Sequence, residues 1–171
     1  MNDIRKLHLY TGTGKGKTTA AMGMTLRALA AGKRVVIVQF LKGSESGEIP
    51  LLQKLGATIL RGKQGQKFVF QMNEEEKAET RKQQQELLLA AVREPADFLL
   101  LDEACAALQL QMVDEDTLRR AVLEKPQEQE LVLTGRTPAP WMLEAADYCT
   151  EMHCVRHPYE KGIAARRGVE Y

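Results

Sequence analysis

The sequence predicts an α/β fold: an open, mostly parallel sheet of about six strands with helices on both faces. Three observations carry that expectation. Short apolar runs of strand length alternate with segments of helical periodicity along most of the chain. Two of these runs, VVIV (35–38) and FLLL (98–101), are apolar without a break, as strands covered on both faces must be. The chemically informative residues gather just beyond strand ends, where ligands sit in such sheets.

In chain order, KLHLY (6–10) alternates and reads as the first strand. TTAAMGMTLRALAAG (18–32) has helical spacing, and Gly32 supplies its stop. RVVIVQF (34–40) is the second strand, and LKGSESGE (41–48) is a Gly/Ser-rich loop at its C-terminal end. IPLLQKLG (49–56) and ATIL (57–60) predict a short helix and a short strand. RGKQGQKFVFQM (61–72) lacks helical periodicity and predicts a loop with two exposed or half-buried aromatics.

NEEEKAETRKQQQELLLAAVREP (73–95) is a punctuated helix. Asn73 caps it, Glu76 stands at the capping-box position, three glutamates favour the positive end of the dipole, and Pro95 follows the stop. DFLLLDE (97–103) is a buried strand ending in two acids. A helix (114–126), a strand (130–135), a Pro-opened helix (138–148) and a last strand (149–155) follow, and the tail 156–171 is irregular. No repeat or low-complexity linker divides the 171 residues, so one domain, 1–171, is expected.

A net charge of +1 gives no global field to recruit nucleic acid or a membrane surface. The apolar runs are too short to span a bilayer, and MNDIRK has no apolar core of a secretory signal, so a cytoplasmic location is expected. Three cysteines do not make a disulfide framework. CTEMHCVRH (149–157) has the composition of a zinc site, but strand alternation would send Cys149 and His153 to one face and Cys154 to the other. Cys149 and Cys154 are therefore expected as small core residues.

The most informative stretch is TGTGKGKTT (11–19), between the first strand and the first helix. Gly12, Gly14 and Gly16 permit the backbone to point N–H groups inward around an anion, with Thr13 between them. The helix N-terminus adds partial positive charge, Lys15 and Lys17 add full charges, and Thr18 and Thr19 add hydroxyls. Thr18 is the position expected to ligate Mg²⁺. The usual pattern has Gly where this chain has Thr11, and Gly12 can serve the same turn one residue later.

Asp102 and Glu103 after FLLL are the second element of such sites, acids that can hold a phosphate-bridging Mg²⁺. Arg136, after LTG (133–135), stands at a third strand end and suits either a polyphosphate or a surface ion pair. The fold expected is thus of the P-loop NTPase kind.

Together, TGTGKGKTTAA, VVIVQFLKG, LLLDE, LTGR and the terminal KGIAARRGVEY resemble the P-loop-type ATP:corrinoid adenosyltransferases, in the right order and over nearly the whole chain. Thr at the first Gly position is itself typical of that family. The resemblance implies that ATP donates its 5′-deoxyadenosyl group to cobalt(I) of a reduced corrinoid and that tripolyphosphate leaves. It implies a nucleotide lying in the loop in the reverse sense to kinases, exposing the ribose C5′. Lys17, Glu103 and Arg136 would be the catalytic set. Gln39, Lys42 and Glu48 match positions that contact nucleotide or corrinoid. Phe68 and Phe70 match aromatics that displace the lower ligand of cobalt, or else they anchor their loop to the core. A homodimer and an electron-donating reductase such as a flavoprotein are the implied partners. The family often carries an N-terminal extension before the first strand, which is expected to be short or missing here.

Two other readings suit the same residues: a small phosphotransferase or ATPase in which Glu103 polarises a hydroxyl, and a non-catalytic nucleotide-binding protein. A thymidine-kinase-like enzyme shares the LDEA strand end but usually has a paired-cysteine zinc lobe, for which this chain has no C-x-x-C.

Overall fold

A computed structural model describes residues 6–44, 46–63, 65 and 67–171. Its strands are β1 Leu7–Thr11, β2 Val35–Gln39, β3 Thr58–Arg61, β4 Phe98–Asp102, β5 Glu130–Thr134 and β6 Tyr148–Glu151. They form one sheet in the order β3-β2-β4-β5-β1-β6, and every pairing is parallel. All six C-terminal ends therefore lie along one edge. The helices are α1 Lys17–Ala30, α2 Ile49–Lys54, α3 Glu74–Arg93, α4 Ala104–Gln109, α5 Glu115–Leu123 and α6 Pro140–Ala145.

The period of two in the strands sorts the core into two layers. Val35, Ile37, Phe98, Leu100 and Val132 pack with Ala21 and Met22 of α1 and Ile49 and Leu52 of α2. The alternate residues, including Val36, Val38, Leu99, Leu101, Leu131 and Leu133, pack with side chains of α3, α4, α5 and α6. Every residue of β2 and β4 is buried, which explains why those two runs are apolar throughout. Each fully buried Leu or Val stabilises the fold by about 1.5–3 kcal/mol, so the central strands fix the frame that holds the strand ends.

Helix α3 opens as its sequence predicts. The Glu76 N–H donates to Asn73 Oδ1 at 2.8 Å, and the Asn73 N–H donates to Glu76 Oε2 at 3.0 Å. Helix α4 is a segment to which the sequence reading assigned no element. It is six residues of small side chains, with Ala104, Cys105 and Ala107 buried.

The last strand is shorter than predicted and lies at the sheet edge, where all four of its residues are exposed. Cys149 and Cys154 are exposed too, so the expectation that they are core residues is corrected. Cys149 lies on an edge strand, and Cys154 lies beyond the strand's end, where alternation no longer applies. Among the described residues no helix is long and apolar enough to cross a membrane.

Candidate nucleotide site

Strand β1 ends at Thr11, and the chain turns through Gly12 and Gly16, both in the left-handed region (φ 98° and 119°). The Thr11 hydroxyl donates to the Arg136 carbonyl at 3.0 Å, and the Gly12 N–H reaches the same oxygen at 3.3 Å. Thr11 thus ties the loop to the end of β5, a bond that glycine at this position lacks. Helix α1 starts at Lys17 directly after the turn, aiming its free N–H groups and its positive end into the loop. The Lys17 side chain is buried and donates to the Gly14 carbonyl at 2.7 Å.

Asp102, at the end of β4, is fully buried and is the hub beneath the loop. Its Oδ1 accepts from the Thr18 hydroxyl at 2.9 Å and the Thr134 hydroxyl at 2.7 Å, and its Oδ2 accepts from Gln39 Nε2 at 3.2 Å. Since the Thr18 hydroxyl gives its hydrogen to Asp102, its lone pairs are free for a cation. Gln39 Oε1 is buried with no partner. A hydroxyl and two adjacent carboxyl groups are the sparse, all-oxygen donor set that suits Mg²⁺, which keeps most of its water. The residues present therefore fit the ion. Among the described residues no three His, Cys, Asp or Glu converge to form a dedicated metal cage.

Glu103 follows in the left-handed region (φ 61°), a strained conformation for a residue with a Cβ. Its N–H is held by the Thr134 hydroxyl at 2.9 Å. Strain of this kind collects at functional sites. Burial raises the Glu103 carboxyl above the usual carboxylate range, and the neighbouring Asp102 adds to the effect, while Lys17 and Lys42 oppose it. Burial also lowers the Lys17 ammonium from its ordinary value, against the attraction of Glu103.

The raised carboxyl has a consequence for stability. A group whose pKa is higher in the folded protein stabilises it below the unfolded-state value and loses that contribution as pH rises through the folded value. The ligand-free protein should therefore weaken as rising pH ionises Glu103. Glu103→Gln is expected to flatten this loss and to match or exceed the parent at pH 8 by about 1 kcal/mol, at the expense of activity. Urea unfolding at pH 5 and pH 8 checks it, and a variant weaker at pH 8 but not at pH 5 would contradict the sign.

A cavity of about 820 Å³ opens above these groups. Of the residues singled out from sequence, Thr13, Gly14, Lys15, Gly16, Lys17, Thr18, Thr19, Lys42, Glu48, Glu103 and Arg136 line it. Three strand ends thus meet in one space, and Arg136 faces it as the position after β5 suggests. Gly12, Gln39 and Asp102 lie buried beside or below it. Phe68 and Phe70 do not line it. They are 70% and 82% exposed and stack on each other with ring centroids 5.6 Å apart, so they do not anchor their loop to the core. Ser46, His157 and residues 167–171 also line the cavity. Sequence reasoning gave none of them a role at the site: Ser46 sits in a loop read only as Gly/Ser-rich, and the terminal KGIAARRGVEY entered only as part of the family resemblance.

Comparison with known proteins agrees with this geometry. The family described as ATP:corrinoid adenosyltransferase BtuR/CobO/CobP matches residues 4–171. A corrinoid adenosyltransferase of Pseudomonas aeruginosa is 33% identical over 168 residues, covering 96% of this chain and 83% of its own length. One from Escherichia coli K12 is 34% identical over 164 residues, covering 95% and 84%. One from a Sinorhizobium species is 35% identical over 168 residues, covering 94% and 78%. The chain, with a glycine-rich loop, Glu103 and Arg136 brought to one cavity by three parallel strands, belongs to the ATP:corrinoid adenosyltransferase family.

Proposed function

We propose that this enzyme transfers the 5′-deoxyadenosyl group of ATP to cobalt(I) of a corrinoid and releases tripolyphosphate. The observation that carries the reading is the convergence of the loop, Lys17, Thr18, Glu103 and Arg136 on a single cavity. Cobalt(I) supplies the electron pair, a Co–C bond forms at C5′, the C5′–O bond breaks, and the pair leaves with the tripolyphosphate oxygen. No proton need be abstracted, so Glu103 acts as an orienting or metal-binding acid and not as a general base.

What the site must do is accept growing negative charge on the leaving group. Loop N–H groups, the α1 N-terminus, Lys17 and Arg136 are fixed before the reaction, which is how electrostatic stabilisation costs least. Mg²⁺, held through Thr18 and the acids, would neutralise polyphosphate charge when bound. A nucleotide lying with its phosphates in the loop and its C5′ outward would meet the corrinoid at the cavity mouth. Lys42 and Glu48 flank that space and Gln39 orients Asp102 from below.

Phe68 and Phe70 are the proposed corrinoid contacts. An exposed stacked pair has apolar area to offer a macrocycle and little role in holding the fold together. Phe68→Ala is expected to change stability by less than about 0.5 kcal/mol. It should spare transfer to chemically pre-reduced cobalt(I) and slow, about tenfold or more, the reaction that starts from bound cobalt(II) and a reductase. Equal rates of loss in the two assays would remove Phe68 from the reduction step. A flavoprotein electron donor and a homodimer belong to this proposal.

The overall reading is tested by incubating the protein with ATP, Mg²⁺ and reduced corrinoid. Light-sensitive adenosylcorrinoid with stoichiometric tripolyphosphate is expected. ADP or free phosphate without corrinoid turnover would favour a phosphotransferase instead.

A further inference from the structure

The chain end is built into the site. Residues 166–171 form a closed turn in which the Gly168 N–H donates to the Tyr171 carbonyl at 2.7 Å and the Glu170 N–H donates to the Arg166 carbonyl at 2.9 Å. Arg166 clamps Glu170 three times: its N–H and Nε donate to Oε2 at 2.8 and 3.2 Å, and its Nη2 donates to Oε1 at 3.0 Å. Through that hydrogen bonding Arg166 holds the Glu170 carboxyl down to about 2, so the acid stays ionised and paired. The turn passes close to the loop after β2: a Cβ added at Gly47 would stand 3.5 Å from the Tyr171 backbone.

The turn brings one uncommitted charge to the cavity. Arg167 lines it, and among the described residues its guanidinium has no ion-pair or hydrogen-bond partner. Ser46 lines the same cavity, is only 4% exposed, and its Oγ is buried with no partner. A buried hydroxyl left unpaired costs free energy unless a ligand completes it. A free guanidinium and an orphan hydroxyl at one cavity match phosphate oxygens in charge and in donor chemistry.

Resting on the nucleotide reading, we propose that Arg167 and Ser46 are ligands of the polyphosphate, in ATP and in the tripolyphosphate product, and that the Arg166–Glu170 clamp positions Arg167. With Glu170 held by Arg166, the Arg167 guanidinium is left for the phosphates. Arg167 then binds ground state and product alike and acts mainly on affinity, not on the chemical step.

The test is calorimetric titration of the full-length protein with inorganic tripolyphosphate and separately with Mg·ATP, beside steady-state kinetics. Arg167→Ala should weaken tripolyphosphate binding about tenfold or more and raise KM for ATP by a similar factor with kcat within about threefold. Arg167→Lys should recover part of the loss, and Ser46→Ala should lose about threefold to tenfold. Arg166→Glu and Glu170→Arg should each weaken binding, and the two together should recover most of it by remaking the pair reversed. Unchanged tripolyphosphate affinity in Arg167→Ala, alongside normal wild-type binding, would overturn the proposal alone. A double swap no better than its parents would remove the clamp from the argument. A wild-type protein that bound neither ligand, with Lys17→Ala making no difference, would bring down the nucleotide reading itself.

Discussion

Lys17→Ala is expected to lower kcat/KM for ATP by about three orders of magnitude while leaving the protein folded. The buried Lys17 ammonium bonds the Gly14 carbonyl, a partner it can exchange for phosphate oxygens. Burial already disfavours its charge, and only Glu103, Asp102 and Cys105 pull the other way. A polyphosphate arriving at the loop brings several negative charges into this poorly solvated space. The ammonium then recovers its charge stabilisation and donates to the leaving group as its charge grows. Removing it costs one hydrogen bond in the free protein, partly offset by relief of the burial of its charge, about 1 kcal/mol net, but leaves the transition state short of a fixed cation. The two effects separate in one set of melting curves. Wild-type protein at a hundredfold excess of ATP over its Kd gains about 2.7 kcal/mol, or about 5–10 °C in Tm for a domain of this size. The variant should melt near the wild type without ATP and gain almost nothing with it. Lys17→Arg should not rescue, because a planar fork does not fit a space shaped for a point charge. Retention of kcat/KM within tenfold of wild type would exclude Lys17 from the reaction.

What could be read before any coordinates were those parts whose physics is local in sequence. The central strands declare themselves by apolar runs, since burial on both faces favours apolar residues until the C-terminal ends, where Gln39 and Asp102 are buried but hydrogen-bonded. The α3 N-terminus declares itself by Asn73 and Glu76, two residues three apart that satisfy one another. The phosphate loop declares itself because glycines, a lysine and a threonine must be contiguous to surround one anion. The parts that stayed illegible depend on partners distant in sequence. Helix α4 is too short and too rich in alanine to show periodicity, and it packs where Gly135 leaves no room for a Cβ beside Cys105, a partner distant in sequence. Cys149 and Cys154 carry core-like side chains, yet strand order places β6 at an edge, and no local pattern encodes strand order. The chain end has no periodicity at all. Its turn is held by the Arg166–Glu170 pair and lies at the cavity, and neither feature can be inferred from the tail's composition.

Gly12→Ala should be among the most damaging single-methyl substitutions in the chain, lowering stability by about 3 kcal/mol or more and Tm by about 6–12 °C. Two independent penalties add at this residue. Its φ of 98° is a conformation that L side chains rarely adopt. A Cβ there would also overlap the Met152 carbonyl oxygen and stand 2.8 Å from the Met152 nitrogen. Neither atom can step aside cheaply, because the Met152 N–H donates to the Thr11 carbonyl at 2.8 Å and the Met152 carbonyl accepts from the Gly14 N–H at 2.6 Å. The phosphate loop and the segment after β6 are stitched together, so a methyl group pushes both apart and should abolish ATP binding along with the stability. Thr11→Gly tests the complementary point. It restores the commoner loop sequence but deletes the hydroxyl bond to Arg136, so it should cost about 1 kcal/mol in place of gaining any. Gly23→Ala is the control: that glycine lies within α1 with nothing within 4 Å of an added Cβ, and alanine there should raise stability by about 0.5–1 kcal/mol. If Gly12→Ala melted within a degree of wild type, the close packing of the β6 exit on the loop would be wrong.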